Sequence, residues 1–178
     1  MIRMNWPKKE QREKFEIDGF IEAFQLVPPH HSLTILSKGE KPDYIVRDQK
    51  SGLKFGVELT SVYLDDRSVP DAHIPDFDEK DPYPQDESQI PAYMARLADA
   101  VREKIKRAKS GYDLTRQLIL SIYVNEYVSI FMTETDWRNL TRDFSAVFGN
   151  LHPFEQVVFW KLANNHVFSV SARQECFV

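Results

Sequence analysis

Two carboxylates stand out because apolar residues surround them. Asp43 follows Pro42 and opens the segment YIVRD, and Glu58 lies inside the apolar run FGVELT. An ionised acid is costly to bury in an apolar strand unless it is paired or binds a cation. Hard divalent ions such as Mg²⁺ are held by one or two carboxylates together with water and substrate phosphates. Such an ion activates water and stabilises charge on a phosphoryl group, so the residue types point to phosphate chemistry.

A β-hairpin is the element that would position the two acids. Residues 43–48 and 54–63 have strand character, and the turn-forming residues 49–52 separate them. Alternation along the second strand puts Glu58 and Thr60 on one face. With the right register, Asp43 and Glu58 come within reach of one cation. The alternative is structural: Asp43 begins a turn, and Glu58 pairs with a lysine at the sheet edge.

The rest of the chain predicts one α/β domain with a mixed sheet, because strand patterns are interleaved with helix patterns. Apolar residues at helical spacing predict three helices. Short apolar runs predict the remaining strands, the last two as a hairpin around Asn164-Asn165. The predicted helices span 8–27, 90–109 and 136–148, and the further strands span 32–37, 118–124, 128–132, 157–162 and 166–171.

The bulk composition bounds the class of protein. The chain has 178 residues, 42% of them apolar, which suits a single globular domain with a sizeable core. No apolar run approaches the roughly 20 residues of a membrane span, and the N-terminus lacks a secretory signal. With Cys176 as the single cysteine, we expect a cytoplasmic protein without a membrane partner.

Charge is unevenly distributed along the chain. The net charge of −4 argues against a protein that coats nucleic acid by charge alone. Residues 64–88 carry nine acids and two bases, and read as a long acidic loop that gates a cleft or repels unwanted nucleic acid. Residues 96–116 carry seven bases and three acids. A basic helix beside an acidic loop is compatible with a polyanion site, and two solvated surfaces are the alternative.

The hairpin and its acids resemble the PD-(D/E)xK nuclease superfamily, which has the restriction-endonuclease-like fold. Pro42-Asp43 and the segment VELT stand where that family has PD and (D/E)-x-K, and helices flank the hairpin as in its αβββαβ core. The resemblance covers residues 10–125 and leaves 126–178 as an added C-terminal helix and β-hairpin. It implies that Asp43, Glu58 and the backbone carbonyl of Leu59 bind Mg²⁺ or Mn²⁺. It also implies DNA or RNA as the substrate, and homodimers are common in the family.

Thr60 departs from the family pattern, because a hydroxyl cannot supply the positive charge of the motif lysine. Some branches of the superfamily carry that lysine on the following helix. Here Lys104 lies at the edge of the apolar stripe of the 90–109 helix, and the resemblance makes it the candidate. A lysine on a solvated helix face is the alternative. Lys106, Arg107 and Lys109 are expected to contact the phosphate backbone.

Many family members add a glutamate from the first helix. Glu13 lies in the middle of the apolar stripe of that helix, whereas Glu16 is rotated by about 80° from its centre, at the 100° per residue of a helix. The resemblance therefore makes Glu13 the candidate acid, and a surface acid near a helix start is the alternative.

These residues predict a Mg²⁺-dependent nuclease that hydrolyses phosphodiester bonds in DNA, or in RNA, by metal-activated water. One alternative is a catalytically silent domain of the same fold that binds nucleic acid or a protein partner. Another is an unrelated α/β interaction domain, in which Asp43 and Glu58 lie far apart or face different ways.

Overall fold

In the residues that the structure describes, seven strands form one mixed sheet whose strand order follows the chain. The computed structural model describes residues 8–64, 85–124, 126–161, 166–171 and 175–177. Four α-helices accompany the sheet in these residues, and none of the four is long and apolar enough to cross a membrane. In chain order the elements are α1 (Lys9–Leu26), β1 (Leu33–Lys38), β2 (Tyr44–Asp48), β3 (Lys54–Val62), α2 (Ile90–Gly111), β4 (Gln117–Val124), α3 (Glu134–Asp143), α4 (Ser145–Phe148), β5 (Phe154–Trp160), β6 (Val167–Ser171) and β7 (Glu175–Phe177).

The directions of the strands divide the sheet into three parts. β1, β2 and β3 are antiparallel to one another in sequence order, and so are β5, β6 and β7. The central strands β3, β4 and β5 are parallel. Parallel neighbours need a crossover, which α2 supplies between β3 and β4 and α3 and α4 supply between β4 and β5. The C-terminal third therefore continues the same sheet.

Helices cover the two faces of the sheet. The core on one face contains α1 residues together with Val57 and Leu59 of β3 and Ile119 of β4. The core on the other face contains residues of α2, α3 and α4 together with Leu118 and Leu120 of β4. Alternate residues of one strand thus belong to opposite cores, as the two-residue period of a strand requires. The result is a layered α/β/α arrangement.

The helix boundaries follow local sequence. α1 ends at Leu26, shortly before Pro28-Pro29, because proline cannot continue a helix. Pro91 lies in the first turn of α2, and Gly111 ends that helix. Thr133 caps α3: its hydroxyl accepts the N–H of Asp136, whose carboxylate in turn accepts the N–H of Thr133.

The structure confirms the α/β class, the mixed sheet and most of the predicted elements. The predicted strand 128–132 is wrong, because Tyr127–Phe131 is a 3₁₀ helix that leads from β4 to α3. A short apolar run does not distinguish a strand from a buried helical turn. The predicted helix 136–148 is divided into α3 and α4, and β7 was not predicted. Most of the predicted acidic loop, residues 65–84, and the predicted Asn164-Asn165 turn lie outside the described residues.

Candidate active site

The candidate site lies at one edge of β3. β2 pairs with β3 only as far as Val57, whereas β4 pairs with β3 as far as Val62. From Glu58 onward, no described strand pairs with that side of β3. We call residues 58–62 on this side the β3 edge. Backbone N–H and C=O groups on such an edge need partners other than a strand.

The residue directly before β2 and a side chain of α2 supply these partners. The carboxylate of Asp43 accepts the N–H of Leu59 at 2.8 Å. The Nζ of Lys104 donates to the carbonyl of Leu59 at 3.0 Å and to Oε1 of Glu58 at 2.7 Å. The structure therefore brings Asp43 and Lys104, which are distant in the sequence, to Glu58 and the Leu59 carbonyl.

Strand register explains why the two acids meet. Tyr44 is paired with Val57 in the antiparallel β2–β3 ladder, and continuing the register by one residue sets Asp43 opposite Glu58. Opposite residues in an antiparallel pair project from the same face. Glu58 alternates with Val57 and Leu59, which belong to the α1-side core, and so it faces α2.

Glu58 is 4% exposed, and its carboxylate is only half satisfied. Oε1 is paired with Lys104, but Oε2 is buried and makes no hydrogen bond to any residue that the structure describes. Buried polar atoms without partners are rare, because each loses the hydrogen bonds that water would provide. An acceptor in this state is suited to a cation.

The electrostatic environment of Asp43 also favours a bound cation. Burial raises its pKa from the ordinary value of 3.8 to about 6, and the negative charge of Glu58 adds to the effect. The Leu59 N–H and the Lys104 ammonium oppose the rise without cancelling it. Two carboxylates sharing a partly dry site resist ionising together, and a divalent cation would relieve that repulsion.

Gly56 is required for the position of Asp43. A β-carbon at Gly56 would lie 2.6 Å from Cγ of Pro42 and 2.6 Å from Cδ2 of Leu118, both too close for van der Waals contact. Pro42 is buried against this glycine, and Asp43 follows it directly. The Pro42-Asp43 dipeptide thus packs onto β3 because Gly56 lacks a side chain.

The donor set suits a hard cation with an incomplete protein shell. Among the described residues, no group of three or more His, Cys, Asp or Glu side chains is placed to hold a metal ion. The site offers the two carboxylates of Asp43 and Glu58 and the carbonyl of Leu59. Mg²⁺ and its analogues commonly use one or two carboxylates and complete their octahedron with water and substrate oxygens. The residues present fit such an ion.

The basic residues of α2 fall into two groups. The side chain of Lys104 is 18% exposed and points to the β3 edge, whereas Lys106, Arg107 and Lys109 are exposed. Tyr112, which follows the helix, is half-buried near Glu58. Burial raises the pKa of its phenol first, followed by a side-chain interaction with the Glu58 carboxylate and by the charges of Glu58 and Asp43. The phenol therefore lies beside the Glu58 carboxylate, although Oε2 makes no hydrogen bond of ordinary geometry to a described residue. Tyr112 was not among the residues predicted for the site. Its position directly after the glycine that ends α2 is the sequence signal that could have identified it.

The two glutamates of α1 have different surroundings. Glu13 forms ion pairs with Lys38 at 2.6 Å and Lys9 at 3.5 Å. Burial acts to raise the pKa of Glu13, but the Lys38 pairing outweighs it and the pKa lies below its ordinary value. Glu16 instead accepts a hydrogen bond from the hydroxyl of Ser61, three residues beyond Glu58 on β3.

Glu16 is therefore the α1 acid that the structure bonds to β3. Burial raises its pKa above the ordinary value, and the Ser61 hydrogen bond and the charges of Arg12 and Lys104 oppose the rise without cancelling it. Glu13 was the predicted acid because it lies in the centre of the apolar stripe. The stripe faces the α1-side core, however, and an acid at its flank is better placed to reach around to a strand edge.

Comparisons of the chain with family models, with curated proteins and with solved structures find no match.

Proposed function

We propose that the protein is a metal-dependent nuclease that hydrolyses phosphodiester bonds in DNA. The observation that carries the proposal is the placement of Lys104. Its amino group comes from α2 to contact both Glu58 and the carbonyl of Leu59, in a strand where Thr60 occupies the motif position of a lysine. A lysine supplied by the following helix is what the resemblance to divergent PD-(D/E)xK nucleases implies.

The order of elements supports the same proposal. The chain runs α1, β1, β2, β3, α2, β4, which matches the αβββαβ order of the restriction-endonuclease-like core. Asp43, directly before β2, and Glu58, within β3, correspond to the acidic positions of the motif. The proposed fold assignment depends on this order and on the residues at the β3 edge.

The chemistry follows from the groups at that edge. A divalent ion held by Asp43, Glu58 and the Leu59 carbonyl would lower the pKa of bound water and offset charge on the phosphate. The ammonium of Lys104 is the protein's own positive charge beside these ligands. It orients the attacking water and stabilises the negative charge that develops on the phosphoryl oxygens.

Substrate binding is assigned to the exposed bases of α2. Lys106, Arg107 and Lys109 are exposed and follow Lys104 on the same helix, and they are the bases assigned to the phosphate backbone. Arg107 is near Tyr112, whose pKa it lowers against the larger effect of burial. These contacts are independent of base sequence, because they are made to phosphates.

The test is cleavage of plasmid DNA, single-stranded DNA and RNA in Mg²⁺ or Mn²⁺. Glu58→Ala removes a ligand, and Lys104→Ala should reduce the rate about 10²–10³-fold, the typical effect of losing a transition-state charge partner. Lys54→Ala is the matched control, because Lys54 is an exposed lysine at the far end of β3. Equal rates for the wild type and Glu58→Ala would disprove this site.

A second test separates the two glutamates of α1. Glu16→Gln and Glu13→Gln remove one charge each from the same helix. If the acid bonded to Ser61 assists the reaction, Glu16→Gln lowers the cleavage rate more than Glu13→Gln does. The reverse order would restore Glu13 as the catalytic acid.

Thr60 favours a second candidate function, a catalytically silent nucleic-acid-binding domain of the same fold. In that case the Glu58–Lys104 ion pair is structural, and α2 alone binds the nucleic acid. The absence of cleavage and of Mn²⁺ binding, combined with DNA binding that Lys106→Ala weakens, would favour this function.

A further inference from the structure

We infer that Lys104 is a built-in cation that occupies the metal position, so that a divalent ion must displace it in order to bind. This inference concerns the regulation of the candidate site and rests on the proposed function for the identity of the metal ligands. It goes further by assigning two positions to Lys104, one without and one with metal.

Lys104 contacts two of the oxygen atoms that are assigned to the metal. Its Nζ lies 2.7 Å from Oε1 of Glu58 and 3.0 Å from the carbonyl oxygen of Leu59. These are two of the oxygens assigned to the metal, which would bind them at about 2.1 Å. An ammonium and a divalent ion sharing both oxygens would be only a few ångströms apart, and their repulsion in a partly dry site is strong. The two cations therefore exclude one another.

The positive charge of Lys104 does not balance the negative charges of the two acids. Asp43 and Glu58 contribute two negative charges to the site, and Lys104 is the one cation that contacts Glu58 among the described residues. One ammonium leaves the pair of acids under-neutralised, and Oε2 of Glu58 keeps its unused acceptor capacity. A divalent ion balances both acids, so the exchange of Lys104 for metal is electrostatically favourable once the metal concentration is sufficient.

The side chain of Lys104 is free to move. The four-carbon stem of Lys104 is flexible and its side chain is 18% exposed, so its head group can move without repacking the core. Val101, Ile105 and Ala108 anchor α2 in the core on either side of it. A displaced ammonium stays tethered beside the ligands, where an incoming phosphate oxygen or water needs a donor. Binding of the metal thus displaces the Lys104 ammonium from the ligands and, in the same event, puts it where the reaction needs a donor.

Calorimetric titration with Mn²⁺, without nucleic acid, tests the exchange. Lys104→Met removes the competing cation but keeps the stem, and it should bind Mn²⁺ about tenfold more tightly than the wild type, within the usual range of coupling between two ligands. Lys106→Met is the matched control, because it removes the same charge from an exposed position on the same helix. Its affinity should stay within about twofold of the wild type, since exposed charges are screened.

Thermal unfolding provides a readout that does not depend on calorimetric heats. In chelator, Lys104→Met should unfold at a lower temperature than the wild type, because buried Glu58 loses its cation. Mn²⁺ should then raise the unfolding temperature of Lys104→Met more than that of the wild type. If Lys104→Met does not fold, Lys104→Gln, which keeps a polar head group without charge, replaces it in both measurements.

The outcomes separate the inference from the proposed function. Mn²⁺ binding by the wild type that Lys104→Met leaves unchanged or weakens would overturn the inference and leave the metal site intact. An equal increase in Mn²⁺ affinity in Lys104→Met and Lys106→Met would also overturn the inference, because the increase would then come from the change in net charge and not from the position of Lys104. Absence of Mn²⁺ binding by all of these proteins would overturn both.

Discussion

Replacing Asp43 with asparagine should stabilise the metal-free protein at neutral pH and remove its response to metal. The Asp43 carboxylate is partly buried beside Glu58, and burial first, then that neighbouring charge, raise its pKa to about 6. Asparagine is nearly isosteric, is uncharged, and keeps an oxygen that can accept the N–H of Leu59. The substitution therefore removes the repulsion without removing the hydrogen bond.

The magnitude follows from the difference between the folded and unfolded pKa of Asp43. The pKa rises from 3.8 to about 6, and each pKa unit corresponds to about 1.4 kcal/mol, so the upper limit is about 3 kcal/mol. Asp43 is partly exposed, and solvent screening reduces the expected gain in the free energy of unfolding to roughly 2 kcal/mol.

The pH dependence has a definite sign. The folded protein holds the Asp43 proton more tightly than the unfolded chain, so wild-type stability declines as the pH rises from about 4 to about 6. Asp43→Asn lacks this decline. The stability difference between variant and wild type should therefore be small near pH 4, grow through pH 5 and 6, and remain constant above about pH 7.

Urea unfolding in chelator at a series of pH values measures this difference. Asp99→Asn is the matched control, because Asp99 is exposed and pairs only with the exposed Arg102 among the contacts the structure describes. Adding Mn²⁺ should stabilise the wild type and leave Asp43→Asn unchanged. A variant less stable than the wild type at pH 7.5, or a difference that does not change with pH, would refute the electrostatic account of the site.

Three other substitutions test packing and hydrogen bonding at the site and elsewhere in the fold. Gly56→Ala should cost about 1–3 kcal/mol in urea unfolding and weaken Mn²⁺ binding, because the added methyl group displaces Pro42; unchanged metal affinity would contradict this. Gly19→Ala should cost a similar amount but leave metal affinity unchanged, because its methyl group meets the buried ring of Trp160, and tryptophan fluorescence would report the shift. Asp48→Ala should cost about 2–4 kcal/mol, because the buried carboxylate accepts several hydrogen bonds, chiefly from neighbouring hydroxyl and backbone groups. These bonds hold the Asp48 pKa below its ordinary value, so the stability that the carboxylate contributes should persist at neutral pH and disappear as the pH falls below about 4. A loss of stability in Asp48→Ala that does not depend on pH would argue against this account.

The extent of sequence prediction differed between the fold and the site. Apolar periodicity and proline or glycine stops predicted α1, α2 and most strands, because these signals are local. The 3₁₀ helix at Tyr127–Phe131 was missed, since its apolar run fits a strand equally well. In the site, alternation predicted that Glu58 and Thr60 share one face of the strand, and the family resemblance together with a position at the edge of an apolar stripe indicated Lys104.

Contacts between distant segments decided the rest. The meeting of Lys104 with Glu58 depends on the crossover of α2 over β3, and the choice between Glu13 and Glu16 depends on how α1 lies against the sheet. The sequence alone determined which residues were acidic or basic, how they alternated along each strand or helix, and where α1 and α2 stopped. Only the tertiary structure decided that β2 stops pairing at Val57, which leaves the β3 edge open for side chains. Pairing register and helix docking are set by the packing of the whole core, so no local pattern encodes them.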